Sequence, residues 1–372
     1  MSFAVAAALT VAACPPERVA HWERYAAAFV TADGRVVDPT GGGRSTSEGQ
    51  AYGLFHALVA NDRARFDAIL AWARDNLAAG NLRARLPAWH WGRGSDGAFR
   101  VLDRNPASDA DLWMGYALVE AGRLWARPDL GDLGLRVLAN VVESEVATLP
   151  GLGPTLLPAP HGFEVEPGYS WRLNPSYLPL QLLRRFAAVS APGPWAELIR
   201  SSERILVGSA RGGISPDWSR YEGGRFVPDA TSRAAASYDA IRVPLWVGML
   251  PASEPLRPQL FEKLSGLLEH VRRDGAVPGA VETRSGRGSG QAGPPGFQAA
   301  LLPLAEALGD AASVASLRRS LAASRADGLY GSPPTYYDQN LVLFGLGFVE
   351  RRYRFAPDGS LEPRWADPCA RR

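Results

Sequence analysis

The chain alternates amphipathic helical stretches with loops rich in proline and glycine from about residue 20 to its end. Apolar residues recur at helical spacing within these stretches, as Leu112, Leu118 and Leu124 do. Strand signals are few, and the clearest is a short hairpin at 220–227 with Gly223-Gly224 at its turn. We predict helices over the ranges 19–31, 49–60, 64–77, 110–124, 130–146, 194–207, 240–249, 259–271, 297–308 and 340–351.

This succession of helices predicts one all-α domain over residues 15–372. The loops interrupt the chain regularly, and neither a composition break nor a long linker divides it. A chain of 372 residues is long enough to bury a substantial core. No close sequence repeat is visible, which disfavours a solenoid with a strict consensus.

Charge and composition exclude several classes of function. The formal net charge is only +2, so neither a nucleic-acid footprint nor a polybasic membrane patch is indicated. No long apolar run suggests that the mature protein inserts into a membrane. Five scattered histidines without a His-Glu-x-x-His motif, and two cysteines without Cys-x-x-Cys spacing, predict no metal site. We therefore expect no cofactor and no nucleic-acid partner.

Residues 1–14 form an apolar stretch that ends in small residues, which is typical of a secretory signal. A basic start is missing, and Val11-Ala12-Ala13-Cys14 also fits a lipoprotein cleavage box. A first structural helix is the alternative. The stretch favours export, and we expect a periplasmic or secreted protein. Cys14 and Cys369 could then form a bridge between the termini or remain two free thiols.

Eleven tryptophans are many for this length, and several stand beside polar residues, as in Trp89-His90-Trp91 and Ser170-Trp171-Arg172. Core packing is one interpretation of each ring. The other is a cleft floored with flat aromatic rings. A pyranose has an apolar C–H face that an aromatic plane can cover, while polar side chains bind its hydroxyls. Both interpretations stay open for each tryptophan, and the second predicts a carbohydrate ligand.

Three acids follow small hydroxyl residues and precede an apolar helix. They are Glu48 after Ser45-Thr46-Ser47, Asp109 after Ser108, and Asp239 after Ser237-Tyr238. Each alone fits an acid that complements a helix dipole, and Ser45 and Glu48 spell a capping box. In a barrel of helices, however, such first-turn side chains would surround one cleft. Carboxylates with divergent pKa values are the groups that cleave a glycosidic bond.

At these residues the chain resembles glycoside hydrolase family 8, and especially its endo-β-1,4-glucanases encoded with bacterial cellulose synthase. The resemblance covers the chain from about Trp22 to Cys369. It depends on five stretches in order: Thr46-Ser47-Glu48-Gly49-Gln50-Ala51-Tyr52-Gly53, Leu86-Pro87-Ala88-Trp89 with Trp91-Gly92, Ala107-Ser108-Asp109-Ala110-Asp111, Trp171-Arg172-Leu173-Asn174-Pro175-Ser176-Tyr177, and Ser237-Tyr238-Asp239-Ala240-Ile241-Arg242.

The resemblance implies an (α/α)6 barrel and hydrolysis of β-1,4-glucan with inversion at the anomeric carbon. Glu48 matches the family's general acid, and Asp239 matches the carboxylate that activates water. Asp109 matches the signature aspartate, to which we assign the holding of the distorted sugar, because inversion has no covalent intermediate. A departure is Gly115, where the family pattern usually has alanine.

Further site residues follow from the resemblance. It implies that Tyr177 and Tyr238 lie near the water and the scissile sugar, and that Tyr337 also binds substrate. Trp91 and Trp171 would stack on glucosyl rings, and Arg242 would contact the carboxylates. We expect a monomer that trims or releases glucan chains near the cellulose synthase complex during secretion.

Other functions remain open from the sequence. The same residues could act on xylan, mixed-linkage glucan or chitosan, although no acidic run favours the cationic chitosan. A non-catalytic glucan-binding factor is a different class, which the presence of all three acids disfavours. A helical scaffold would leave the tryptophan-rich loops unexplained.

Overall fold

A computed structural model describes residues 20–190 and 192–366. The predicted signal at 1–14, the domain boundary at residue 15, and both Cys14 and Cys369 lie outside these ranges. The described helices are α1 (Ala20–Phe29), α2 (Ser47–Val59), α3 (Arg63–Asn76), α4 (Ser108–Leu124), α5 (Pro128–Glu145), α6 (Leu180–Val189), α7 (Trp195–Ser209), α8 (Arg242–Gly248), α9 (Arg257–Leu264), α10 (Leu267–Asp274), α11 (Pro295–Ala307), α12 (Ala311–Ser324) and α13 (Tyr336–Val349). In this part of the chain, no helix has the length and apolar character needed to cross a membrane.

Six of these helices form an inner ring. Helices α2, α4, α6, α8, α11 and α13 contact one another in that order. The ring closes where Phe344 of α13 packs on Tyr52 and Phe55 of α2, with ring centroids 5.0 and 5.2 Å apart. The outer helices α1, α3, α5, α7, α9–α10 and α12 pack around this ring. The predicted (α/α)6 barrel is thereby confirmed.

Aromatic side chains fill the centre of the inner ring. Trp113 of α4 lies between Phe55, Phe344 and Trp246, with centroid separations of 4.9, 5.0 and 5.1 Å. All four rings are buried. They come from four different inner helices, so their packing joins α2, α4, α8 and α13. The barrel has a packed core along its axis.

Glycines allow some helices to approach closely. A Cβ atom at Gly345 of α13 would lie 2.1 Å from the carbonyl oxygen of Ala299 in α11. At Gly115 of α4, a Cβ atom would lie 2.7 Å from Cδ2 of Leu138 in α5. These contacts require glycine or a shift of the neighbour. The departure at Gly115 from the family's usual alanine is therefore accommodated by the packing of Leu138.

Nine of the ten predicted helices are present with shifted ends, and the tenth is divided into two. The range predicted as 240–249 begins at Arg242, which leaves Asp239 in the turn before α8. The single helix predicted over 259–271 is two helices, α9 and α10, separated at Ser265-Gly266. Helices α6 and α12 were not predicted from the sequence.

Short antiparallel strands are more numerous than the sequence indicated. They are β1 (Ser45–Thr46), β2 (His90–Arg93), β3 (Phe99–Asp103), β4 (Val146–Leu149), β5 (Gly153–Leu156), β6 (Glu164–Glu166), β7 (Ser170–Leu173), β8 (Ser219–Glu222), β9 (Arg225–Pro228), β10 (Ala235–Ala236), β11 (Val281–Glu282), β12 (Arg287–Gly288), β13 (Arg325–Ala326), β14 (Leu329–Tyr330), β15 (Tyr353–Phe355) and β16 (Leu361–Pro363). The sheets are β1-β2-β3, β6-β7-β8-β9 and β10-β11-β12, with three further two-stranded pairs.

The predicted hairpin is confirmed as β8 and β9. Gly223 and Gly224 connect these strands with φ angles of 53° and 82°, which suit a two-residue hairpin turn. Several strands lead directly into site segments. Strand β1 runs into α2, β7 precedes Asn174–Tyr177, and β10 precedes the turn that carries Asp239. The sheets therefore fix the backbone where the inner helices begin.

Candidate active site

Glu48 is the second residue of α2. Its carboxyl group does not cap the helix and faces a cleft. Thr46, not Ser45, caps the helix by accepting from the N–H of Gly49 at 3.1 Å. The hydroxyl of Ser45 donates instead to the carbonyl of Val36 at 2.6 Å. The capping box considered from the sequence is therefore not formed, because the helix begins one residue later than that motif requires.

The three acids meet at one end of the barrel. Asp109 is the second residue of α4, and Asp239 lies in the turn before α8. Together with Glu48 they border a cleft of about 430 Å³. The other residues that line it are Asp38, Thr40, Arg44, Thr46, Ser47, Trp89, Ala107, Tyr177, Tyr238, Arg242, Thr335, Tyr336, Tyr337 and Asp338. The predicted convergence of acidic helix starts is thus present.

Arg242 joins all three carboxyl groups. Its Nη2 donates to Oδ1 of Asp239 at 2.6 Å, and its Nη1 donates to Oδ2 of Asp109 at 3.3 Å and to Oε2 of Glu48. The guanidinium also donates to the hydroxyl of Ser176 at 2.9 Å. As the first residue of α8, Arg242 is buried. The contact predicted between Arg242 and the carboxylates is therefore present.

Burial and the cation of Arg242 act in opposite directions on the pKa values of Asp239 and Asp109. Burial raises the pKa of Asp239 to about 6, while Arg242 opposes this shift. Burial likewise raises the pKa of Asp109 well above its ordinary value, again against the effect of Arg242. Neighbouring carboxylates add to both shifts because like charges disfavour ionisation. Such a cluster can hold protonated and ionised groups at the same pH.

The three acids also differ in access to the cleft. The Asp239 and Glu48 side chains keep 29% and 20% of their surface exposed, whereas Asp109 keeps 4%. Glu48 receives a second hydrogen bond on Oε1 from the hydroxyl of Tyr336, at 3.0 Å. Asp239 and Glu48 are therefore the acids best placed to exchange protons with a bound ligand.

A second carboxyl pair lies behind Asp109. Asp111 and Glu145 are fully buried, and their carboxyl groups contact each other. Within the described residues, no other side chain donates a hydrogen bond to either group. Burial raises the pKa of both groups well above ordinary values. Asp111 raises the pKa of Glu145 further, and the charge of Asp109 raises that of Asp111, which the hydrogen bond from Glu145 lowers. The pair therefore retains a proton in the folded protein at pH values where an exposed acid is ionised.

The predicted tyrosines lie at the cleft. The guanidinium of Arg242 is 5.6 Å from the ring centroid of Tyr177, and burial raises the pKa of the Tyr177 hydroxyl, which stays neutral. Tyr238 is 57% exposed at the cleft mouth. The hydroxyl of Tyr337 donates to the backbone carbonyl of Tyr238 at 2.5 Å. All three line the cleft, and their binding of substrate stays a prediction.

The tryptophans differ in their position relative to the cleft. Trp171 is buried against Tyr221 and is not among the residues that line the cleft; its stacking role stays a prediction. Trp91 packs on Phe99 with centroids 4.9 Å apart and lies beside the cleft rather than on its lining; its stacking role stays a prediction. Trp89 does line the cleft and is only partly buried.

Several residues of the site were not singled out from the sequence. Tyr336 binds Glu48, and Ser176 binds Arg242. The one sequence signal for Tyr336 is Thr335, which caps α13 as Thr46 caps α2. No group of three or more His, Cys, Asp or Glu side chains is placed to hold a metal ion in the described ranges.

Comparison with known proteins finds relatives that cover almost the whole chain. The chain is 48% identical to an endoglucanase of Xanthomonas axonopodis pv. citri over 94% of its length and 90% of the relative. It is 42% identical to an endoglucanase of Escherichia coli K12, over 94% of its length and 92% of that protein. The crystal structure of an endo-1,4-D-glucanase from Vibrio fischeri superimposes with a TM-score of 0.85 at 38% identity, covering 94% of this chain and all of that one.

The sequence profile described as glycosyl hydrolases family 8 matches residues 1–351. This range includes every acid of the cleft and Arg242. The chain therefore belongs to family 8 of the glycosyl hydrolases and is a glycoside hydrolase.

Proposed function

We propose that the chain is an endo-β-1,4-glucanase that inverts the anomeric carbon, with Glu48 as general acid and Asp239 as general base. The observation that carries this proposal is the binding of both carboxylates to opposite nitrogens of one buried guanidinium, at the floor of a cleft. The names of the relatives described above support the choice of β-1,4-glucan as the polymer.

In the proposed reaction, Glu48 donates its proton to the glycosidic oxygen as the bond from the anomeric carbon breaks. Asp239 takes a proton from a water molecule, whose oxygen bonds to that carbon on the opposite face of the ring. A base must be ionised, so the pKa of about 6 for Asp239 places the acidic limit of activity near that pH. Tyr177 borders the same space and is suited to orient the water.

Glu48 has a neighbour that fits both of its protonation states. A tyrosine hydroxyl both donates and accepts hydrogen bonds, so Tyr336 can bond Glu48 before and after the proton leaves. Asp109 lies deeper and is held by Arg242. We assign to it the binding of the distorted sugar at the cleavage point.

The decisive test compares wild type, Glu48→Gln and Asp239→Asn on carboxymethylcellulose, with reducing ends and viscosity followed together. We expect a rapid fall in viscosity with few new ends from wild type, and loss of turnover by a factor of at least about 1,000 in both variants. Glu143→Gln, which removes an exposed acid of α5, is the matched control. Full activity of Glu48→Gln would refute its role as acid.

The polymer is tested separately. Initial rates on cellulose derivatives, xylan, mixed-linkage glucan and chitosan should be highest on a β-1,4-glucan. A higher rate on another polymer would retain the chemistry and change the substrate. Binding without new reducing ends on any of the four would favour a non-catalytic binding factor.

The cellular role is proposed from the resemblance. We propose that the protein is periplasmic or secreted, acts as a monomer, and trims glucan chains during cellulose export. Cell fractionation and gel filtration test the first two points. Deletion should change the amount or the aggregation of secreted cellulose, and restoration by wild type but not by Glu48→Gln would tie that change to catalysis.

A further inference from the structure

Asp217 binds the segment that carries Asp239 through four hydrogen bonds. Its Oδ1 accepts from the backbone N–H groups of Ser237, Asp239 and Ala240 at 2.7, 3.1 and 2.8 Å. Its Oδ2 accepts from the hydroxyl of Ser237 at 2.6 Å. The side chain of Asp217 is buried. Both of its oxygens are thus committed to one four-residue turn.

This turn has no cap of its own. Helix α8 begins at Arg242, and the residue before it, Ile241, provides no side-chain hydrogen bond to the helix start. The first N–H groups of α8 bind backbone carbonyls of the turn, as Arg242 does to the carbonyl of Asp239 at 3.1 Å. The N–H groups of the turn itself need other partners, because a buried N–H group without a partner is costly. Asp217 provides them from 20 to 23 residues earlier in the chain, which fixes the backbone of Asp239 relative to Arg242.

We propose that Asp217 is a positioning residue that holds Asp239 in place by binding its turn and that adds a negative charge to the surroundings of its carboxyl group. The inference extends the proposed function, because it depends on Asp239 as the base. Asp217 does not itself line the cleft, so it acts through Asp239 rather than on the substrate.

The charges around Asp239 support an electrostatic effect. Burial raises the pKa of Asp239 most; Arg242 lowers it, and the negative charge of Asp217 raises it ahead of that of Glu48. Asp109, Tyr177 and Tyr337 also interact with Asp239. Without the negative charge of Asp217, less opposes the lowering of the Asp239 pKa by Arg242. The pKa of Asp239 should then fall.

Asp217→Asn separates charge from geometry. The asparagine carbonyl can still accept the three N–H groups, and its amide can donate to the hydroxyl of Ser237, which also accepts hydrogen bonds. Asp217→Ser removes most of these contacts. Asp310→Asn is the matched control, because Asp310 binds the N–H and the hydroxyl of Ser313 in the same manner at the start of α12.

The experiment measures kcat/KM against pH on a soluble cello-oligosaccharide, together with a ¹³C NMR titration of Asp239 assigned by comparison with Asp239→Asn. In Asp217→Asn, we expect the acidic midpoint and the titration of Asp239 to move below the wild-type value near 6 by at least half a unit. The ratio of kcat/KM at pH 5 to that at pH 7 would then rise about threefold. Asp310→Asn should leave both unchanged.

Asp217→Ser should lower kcat at every pH by at least tenfold. The inference is overturned if Asp217→Asn folds but neither midpoint moves, or if Asp217→Ser keeps full kcat. Full activity of Asp239→Asn would instead refute the proposed function. The NMR titration would still report the effect of Asp217 on Asp239, so the two failures can be distinguished.

Discussion

The hydroxyl of Tyr336 donates to Oε1 of Glu48 at 3.0 Å, and it thereby joins the first residue of α13 to the second residue of α2. The two helices are adjacent in the inner ring although they stand at opposite ends of the chain. The position of Glu48, the proposed general acid, therefore depends on the contact between α13 and α2 that closes the inner ring of helices.

Tyr336→Phe tests this dependence. Loss of a hydrogen bond to a group that can be charged costs about 1.5–3 kcal/mol, so kcat/KM should fall roughly 10- to 100-fold. The fall should appear mainly in kcat, because the contact is to the acid. Tyr330→Phe, at a tyrosine that packs on His21 away from the cleft, is the control. Equal rates for both variants would remove Tyr336 from the mechanism.

Trp89 and Trp171 should respond differently to substitution. In a Glu48→Gln background, Trp89→Ala should weaken cello-oligosaccharide binding about tenfold, because an aromatic face is lost from the cleft. Trp171→Phe should leave affinity unchanged and lower the melting temperature, because Trp171 is buried. Calorimetric titration measures the first effect and thermal unfolding the second. A reversal of the two results would support the stacking role implied for Trp171 by the resemblance.

Asp111→Asn should flatten the dependence of stability on pH. The folded-state pKa values of Asp111 and Glu145 are raised, so the native protein binds more protons than the unfolded chain above about pH 4. This stabilisation is complete below the unfolded pKa values and is lost as pH rises toward the folded ones. Each extra proton contributes a slope of about 1.4 kcal/mol per pH unit in the free energy of unfolding.

Urea unfolding between pH 4.5 and 8 measures this slope. The wild-type free energy of unfolding should fall more steeply with pH than that of Asp111→Asn. Asp129→Asn, at an exposed acid of α5, should follow the wild-type curve. Parallel curves for wild type and Asp111→Asn would show that the pair holds no proton in this range.

Gly345→Ala and Gly115→Ala should change the free energy of unfolding by different amounts. Gly345→Ala places a methyl group against a backbone carbonyl of α11, so helices must separate, and we expect a loss of about 2–3 kcal/mol or more. Gly115→Ala meets the side chain of Leu138, which can rotate, and alanine favours the helix by roughly 0.5–1 kcal/mol. It should change stability by less than about 1 kcal/mol. Denaturant unfolding of both variants checks the order.

Most helices of the barrel could be predicted because their apolar residues recur at helical spacing. Helices α6 and α12 could not be predicted in this way. Helix α6 follows Pro179, which offers no side-chain hydrogen bond as a start signal. Helix α12 buries only Ser313, Leu317 and Leu321, so its apolar stripe is narrow. Sequence periodicity is weak in α12, which is held by packing against its neighbours. Helix α6 has a regular apolar face but only ten residues and no start signal.

The site residues that could be predicted are those that belong to a short local sequence pattern. Glu48, Asp109 and Asp239 share a local pattern, and Arg242 follows Asp239 by three residues. The contact of Tyr336 with Glu48 spans 288 residues, and that of Asp217 with Asp239 spans 22. No local pattern encodes such distances. The burial of Trp171 is equally a property of the assembled sheet, since β7 lies between β6 and β8.

The aromatic packing of Trp113, Phe55, Phe344 and Trp246 closes the barrel along its axis. A polymer therefore cannot thread through the protein and must lie across the end where the inner helices begin. A polymer that lies across this end of the barrel can bind without a free chain end. A long polymer can thus bind anywhere along its length, and cleavage there leaves two shorter pieces.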